Sequence, residues 1–161
     1  MNKNWFVEND VAYLHIENDA MFGESTSRCV EILAKAIGSK GRYISEVRMV
    51  QNISHKITES IKELASRYQI LIISGGVGIT HNCNTLSSLS NAIGCELEEN
   101  IEAKLLLERY LKKEGMEFSN VYKKAITLPK SCVVIPNEIT GIVGYKIQNI
   151  MVIPSDAKSF R

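Results

Sequence analysis

The sequence predicts an α/β fold, a three-layer α/β/α sandwich around a mostly parallel mixed sheet, and three observations carry that prediction. The first 95 residues alternate strand-like and helix-like stretches, as βαβ units do. Residues Ile70-Leu-Ile-Ile73 are an uninterrupted apolar run, which suits a parallel strand covered on both faces. A glycine-rich stretch, Ser74-Gly-Gly-Val-Gly-Ile-Thr80, follows that run directly and precedes a helix-like segment beginning near Asn84. Gly75, Gly76 and Gly78 free the backbone to turn at the strand's carboxyl end, where open α/β sheets bind their ligands.

The elements follow in order. Residues 5–7 and 11–16 are two apolar runs separated by Glu8-Asn9-Asp10, a pattern that predicts a tight hairpin with the second run as the better strand. Ser25, Thr26 or Ser27 then caps a helix whose apolar positions Val30, Leu33, Ala34 and Ile37 have helical spacing, ended by Gly38 and Gly41. A strand is expected over residues 43–50. A helix with Ile53, Ile57, Ile61 and Leu64 along one stripe leads to the central strand and its turn.

Residues 98–114 have a strongly helical composition, with Ile101, Leu105 and Leu106 apolar, Glu108 and Lys112 four apart, and Gly115 as terminator. This helix reads as an appendage to the sheet. A short segment over residues 119–125 precedes Leu128-Pro129-Lys130. Strands are then expected over 132–135, 141–147 and 149–153, the last pair turning at Gln148-Asn149. No repeat or linker interrupts residues 1–161, which predict a single domain of ordinary size.

The composition narrows the function classes. Nineteen basic and eighteen acidic residues are well mixed and leave a net charge of +1, so nothing marks a nucleic-acid polymer or an anionic membrane as partner. No apolar run approaches the roughly 20 residues needed to span a bilayer, and the start is too polar for a secretory signal. A cytoplasmic location is the expectation. Cys29, Cys83, Cys95 and Cys132 lack the close spacing of zinc ligands and read as reduced thiols. Of His15, His55 and His81, only His81 lies beside the glycine turn; the other two read as structural or surface residues.

A glycine turn between a buried strand and a helix presents backbone N–H groups to a phosphate, assisted by the positive helix end. The same glycines also suit a turn demanded by close packing. The six-position dinucleotide fingerprint and the Gly-Lys-Ser/Thr of a P-loop are both absent.

Taken together, the motifs resemble the molybdopterin-binding-like domains. Ser74-Gly-Gly-Val-Gly-Ile-Thr80 is similar to that family's Thr-Gly-Gly-(Thr/Leu)-Gly-x-Thr-Pro-x-Asp element, and residues 17–23 fall where it has Gly-Asp-Glu-Ile-Leu-x-Gly. Ile135-Pro-Asn, followed by Gly141-Ile-Val-Gly144, resembles its Pro-Asn-x-x-Gly-x-Ala-Pro-Gly, and Val152-Ile-Pro-Ser155 its closing Leu-Pro-Gly. The segment over 97–129, with Lys123-Lys-Ala125 and Leu128-Pro129, is similar to the CinA-type branch and to the amino-terminal domain of eukaryotic FAD synthases. The resemblance spans roughly residues 11–157.

The resemblance implies a nucleotide or pterin phosphate held at the glycine turn, with Ser74, Gly75, Gly76, Gly78, Thr80, Asn82, Gly141 and Gly144 as the ligand-binding set. It implies Mg²⁺ or another divalent cation as the cofactor, hydrolysis of ADP-ribose- or FAD-class pyrophosphates, and homo-oligomers. The departures cut against the catalytic part. Asn18 stands at the family's Asp, Asp19 at its Glu, and His81-Asn82-Cys83 replace Pro-x-Asp, while Ser27 and Ser155 replace a further Asp and Gly. A metal-dependent pyrophosphatase wants hard carboxylate oxygens, and these are mostly gone. The nearest substitutes are Asp19 and Glu24, which also simply favour a helix's positive end. His81 with Cys83 makes a poor metal pair, and Lys123 and Lys124 read as a solvated face.

Three readings result. One is a diverged binding domain with weak or lost hydrolysis. The second is an active nucleotide pyrophosphatase using Asp19 or Glu24. The third is a scaffold that self-associates through apolar residues such as Trp5, Phe6 and Phe22.

Overall fold

The computed structural model describes residues 10–18, 29–76 and 84–154. Its centre is a six-stranded sheet in the order β2-β1-β3-β8-β7-β6. The four strands on one side are β1 (Val11–Ile16), β2 (Ile44–Val50), β3 (Ile70–Ser74) and β8 (Ile150–Ile153), and they run parallel to one another. β7 (Gly144–Ile147) pairs antiparallel with β8, and β6 (Val133–Ile135) antiparallel with β7. The alternation of elements therefore leads to the mixed, mostly parallel sheet expected.

Period-two alternation sorts the side chains between two layers. Val11 and Tyr13 of β1 and Ile72 of β3 pack under α1 (Cys29–Gly38), with Cys29 and Leu33 of that helix buried against them. The opposite face carries the larger core. There Ala12, Leu14 and Ile16 of β1 and Leu71 and Ile73 of β3 meet Ile57, Ile61 and Leu64 of α2 (Ser54–Arg67) and Leu89 of α3 (Thr85–Ile93). Both faces of β1 and β3 are thus covered, which is why these strands read as nearly continuous apolar runs.

Several details differ from expectation. β1 has β2 on one edge and β3 on the other along its length, so it has no free edge for a hairpin partner; residues 5–7 lie outside the described residues. The same holds for the capping candidates Ser25, Thr26 and Ser27. The helix expected from residue 98 begins later. Leu97–Glu99 forms a strand, β4, antiparallel to β5 (Thr127–Pro129), and α4 (Ile101–Lys113) starts where the Asn100 side chain accepts a hydrogen bond from the Ala103 amide at 2.9 Å. That is an N-cap in the position asparagine favours.

Nor is α4 an appendage. Its buried stripe is Ala103, Leu107 and Leu111, and these join Val134, Val143 and Tyr145 in the main core, covering the β6–β7 half of the sheet. Ile101 and Leu105 point to solvent instead, and Glu108 pairs with Lys104 at 3.8 Å. A one-turn helix, α5 (Lys123–Ile126), joins α4 to β5, and its Lys123 meets Glu99 at 3.2 Å. Cys29 is buried and Cys95 and Cys132 are half-buried free thiols. Burial raises the last two above the usual thiol range, which keeps them protonated and unreactive. No described helix is long and apolar enough to cross a membrane.

The exposed side of edge strand β2 is held by charge. Arg48 bonds Glu46 at 2.7 Å and Glu63 of α2 at 2.7 Å, Arg67 reaches Glu63 at 2.9 Å, and the Tyr68 hydroxyl donates to Glu46 at 2.6 Å. Such a network blunts a free edge. The Tyr68 hydroxyl, then Arg48, hold the Glu46 carboxyl below its ordinary value, and Arg48 and then Arg67 bring Glu63 down to about 2. A carboxyl depressed in the folded state adds stability above its unfolded pKa and loses that contribution as pH falls through the folded one. The melting temperature of wild type relative to Arg48→Met is therefore expected to hold its advantage above pH 4.5 and to lose it progressively towards pH 2. An advantage that stays constant across that range overturns the assignment.

Candidate functional site

One register row crosses the carboxyl edge of the sheet. Met49 of β2 lies beside His15 of β1, His15 beside Ser74 of β3, and Ser74 beside Ile153 of β8. Farther along the same edge Gly144 of β7 pairs with Ile135 of β6. A cleft of about 210 Å³ opens at this end, bordered by Ile135, Pro136, Glu138, Gly144, Ile153 and Pro154.

Inside that row sits a polar cluster that sequence reading had set aside. His15 is 2% exposed and Ser74 not at all. Ser74 Oγ lies 2.5 Å from the Tyr13 hydroxyl and 3.0 Å from His15 Nδ1, the Tyr13 hydroxyl is 2.9 Å from the same Nδ1, and His15 Nε2 meets a Glu17 carboxylate oxygen at 2.6 Å. One direction of bonding satisfies every group with a neutral imidazole. Tyr13 donates to Ser74, Ser74 donates to Nδ1, and Nε2–H donates to Glu17. Burial pushes the Tyr13 phenol well above its usual range, consistent with a hydroxyl that stays a donor. Glu17, 30% exposed, is the outer end of this chain.

Of the structural and surface roles expected of His15, the structural one holds: it links β1, the glycine turn and a carboxylate. The signal for its partners was the polar alternation Tyr13-x-His15-x-Glu17 in an otherwise apolar strand. Ser74 turns its hydroxyl inward to Tyr13 and His15.

The turn itself is tightly specified. Gly75 has φ +91°, and a Cβ there would lie 1.9 Å from the Ile16 carbonyl oxygen. Gly76 has φ +59°, and its Cβ would lie within 2.4 Å of Thr85 Oγ1. Thr85, fully buried at the start of α3, donates its hydroxyl to the Gly75 carbonyl at 2.7 Å and its amide to the Gly76 carbonyl at 3.4 Å. Nearby, Asn18 Oδ1 accepts from the Asn52 amide at 3.0 Å, and Asn84 Nδ2 donates to the Asn52 carbonyl at 3.1 Å. These three asparagines tie the ends of β1 and β2 to the start of α3.

Gly144 is required by the sheet, since a Cβ there would lie 2.8 Å from the Val152 carbonyl oxygen. Gly141 plays a different part. Asn137 closes its own loop through Thr140 Oγ1 at 2.8 Å, the Ile142 carbonyl at 3.1 Å and the Ile139 amide at 3.1 Å, and Gly141, at φ +71°, packs against the Tyr110 ring of α4. Ser74, Gly75, Gly76 and Gly144 thus share the carboxyl edge, while Gly141 faces α4. Asp19, Glu24, Gly78, Thr80, Asn82, His81, Cys83, Phe22 and Ser155 lie outside the described residues.

A family model described as "Probable molybdopterin binding domain" matches residues 13–160. The chain belongs to this family of molybdopterin-binding-type domains. Among curated relatives, a CinA-like protein of Citrifermentans bemidjiense is 28% identical over 138 residues, covering 86% of this chain and 33% of the relative. A protein of Sulfurisphaera tokodaii is 29% identical over 135 residues, covering 83% of this chain and 49% of that one. The chain therefore spans about a third of the length of the CinA-like relative. Among solved structures, CinA from Thermoplasma acidophilum superposes with a TM-score of 0.83 at 17% identity, covering 95% of this chain and 92% of that one. The molybdopterin biosynthesis enzyme MoaB from Thermus thermophilus gives 0.60 at 13% identity, covering 94% and 84%.

Within this molybdopterin-binding-type domain, the Asn18 amide oxygen is spent on the Asn52 backbone. Among the described residues no three His, Cys, Asp or Glu side chains converge as a metal-binding group.

Proposed function

We propose that the chain is a CinA-type binding domain for a phosphate-bearing small molecule of the nucleotide or pterin class, with metal-dependent pyrophosphate hydrolysis weak or lost. The observation that carries this reading is the contrast at the carboxyl edge. The glycine turn is held where no other residue fits, whereas the amide at the family's acidic position serves the backbone. Thr85 takes the two glycine carbonyls, and this reading assigns the amide side of the turn to the ligand. Asn84 makes no side-chain cap, so the first turn of α3 adds further amides and its positive end. Gly78, Thr80 and Asn82 complete the binding set in this reading.

The pyrophosphatase alternative has one foothold, Glu17, a carboxylate pinned by His15 with part of its surface open; Asp19 and Glu24 would join it around Mg²⁺ or another divalent cation. Self-association belongs to the proposal as well, supported by exposed Val133 on edge strand β6. A cytoplasmic location completes it.

Titration of the ¹⁵N-labelled protein with ADP-ribose, AMP, FAD and a molybdopterin precursor tests the binding reading. At least one ligand is expected to shift the Gly75 and Gly76 amides, and no shift with any of them rejects it. AMP release from ADP-ribose or FAD in Mg²⁺, Mn²⁺ or Co²⁺ is expected to stay at background; release abolished by Asp19→Ala or Glu17→Gln would put the pyrophosphatase in its place.

A further inference from the structure

The loop that borders the carboxyl-edge cleft has a second side. Between it and α4 lies a separate cleft of about 240 Å³, lined by Leu106, Arg109, Tyr110, Lys113, Pro136 and Glu138. Pro136 and Glu138 border both clefts.

Three features set this second cleft apart. Arg109 and Lys113 stand one turn apart on α4 and line the same hollow, yet neither has a carboxylate partner among the described residues. By contrast, Lys104 of the same helix pairs with Glu108, Lys123 with Glu99, and Lys130 with Glu96. Two neighbouring cations left unpaired in a hollow repel one another unless an anion enters. Beside these polar groups the lining includes Tyr110, Pro136 and Leu106, whose apolar surfaces suit a planar ring. Gly141 packs on the Cβ–Cγ end of Tyr110 and fixes that ring in place. Finally, Glu138 supplies an acceptor for an O–H or N–H while leaving the hollow with net positive charge.

We infer that this cleft is a binding site for an aromatic ring carrying a phosphate, of the size of a nucleoside monophosphate, separate from the glycine turn. The ring lies against Tyr110 and Pro136, the phosphate takes Arg109 and Lys113, and Glu138 accepts from a ribose hydroxyl or a ring N–H. The guanidinium and ammonium together provide charge-assisted donors for a dianion. At about 240 Å³ the cleft lies just under the usual range of small-molecule pockets, about 300–1,000 Å³, which leaves no room for a dinucleotide. This site does not depend on the function proposed for the turn.

The test is a titration of the ¹⁵N-labelled full chain with AMP, adenosine and inorganic phosphate, resolved by residue. AMP is expected to shift the amides of α4 around Arg109 and Tyr110. Adenosine and phosphate, each carrying half the recognised chemistry, are expected to bind at least about tenfold more weakly. The double variant Arg109→Gln, Lys113→Gln, altering only exposed side chains, is expected to weaken AMP at α4 by about tenfold or more, while Lys112→Gln on the same helix leaves it unchanged. Far-ultraviolet circular dichroism and melting temperature identify any variant that has lost its fold, and Tyr110→Leu, which keeps both charges, then reads the ring contact alone. Shifts confined to Gly75 and Gly76 overturn the inference and leave the proposed function standing. Shifts confined to α4 uphold the inference and leave the proposed function to its own four ligands, and no shift at either place overturns the inference.

Discussion

Gly75→Ala is expected to cost about 4 kcal/mol or more, from a left-side backbone conformation forced on a residue with a Cβ and from an overlap that cannot relax. The overlap decides the size of the effect. The added methyl would lie 1.9 Å from the Ile16 carbonyl oxygen, and Ile16 is the last residue of β1, a strand flanked by β2 and β3. Relief requires β1 and β3 to separate at the edge where they also share His15 and Ser74. Gly94→Ala supplies the comparison. It has φ +67° with open space around it, so it carries the conformational cost of about 1–2 kcal/mol without the collision. Urea melts of both variants separate the two contributions. A Gly75→Ala protein no less stable than Gly94→Ala would mean that the turn does not press on β1 as described.

His15→Leu is expected to be the second most damaging change, at about 3 kcal/mol. Leucine replaces the ring's volume but removes the acceptor for Ser74 and the donor to Glu17. Each buried polar group left unmatched costs about 1–3 kcal/mol, and the Glu17 carboxylate, partly exposed, recovers some of its loss through water. Ser74→Ala should be milder. The Tyr13 hydroxyl, 2.9 Å from Nδ1, then donates to the imidazole directly. The two substitutions are expected to be non-additive by about 1 kcal/mol in a double-mutant cycle, since each removes part of the other's partner set. Strict additivity would show that the four side chains do not act as one network.

The strands that carry the fold were legible because burial on both faces writes itself into composition, as in Ile70-Leu-Ile-Ile73. The glycine turn was legible for a related reason, since only glycine tolerates positive φ beside a neighbouring carbonyl. β4 and β5 were not. Each has three residues, β4 is acidic and β5 ends in Pro129, so neither has the length or the alternation of a strand; their mutual pairing across some thirty residues makes them one. α4 was found but read as an appendage, because its buried stripe of Ala103, Leu107 and Leu111 includes a small residue while apolar Ile101 and Leu105 face solvent. The partners of His15 were not legible for a reason of distance. Its partner Ser74 is 59 residues away, and only the parallel register of β1 and β3 brings them together.

The clasp that Thr85 places across Gly75 and Gly76 also fixes where the stretch over residues 77–83 must begin and end. Gly76 and Thr85 are held beside one another by bonds outside that stretch, so the entropy of closing the loop is met by the frame. Substitutions within residues 77–83 are therefore expected to change stability less than substitutions at Gly75, Gly76 or Thr85.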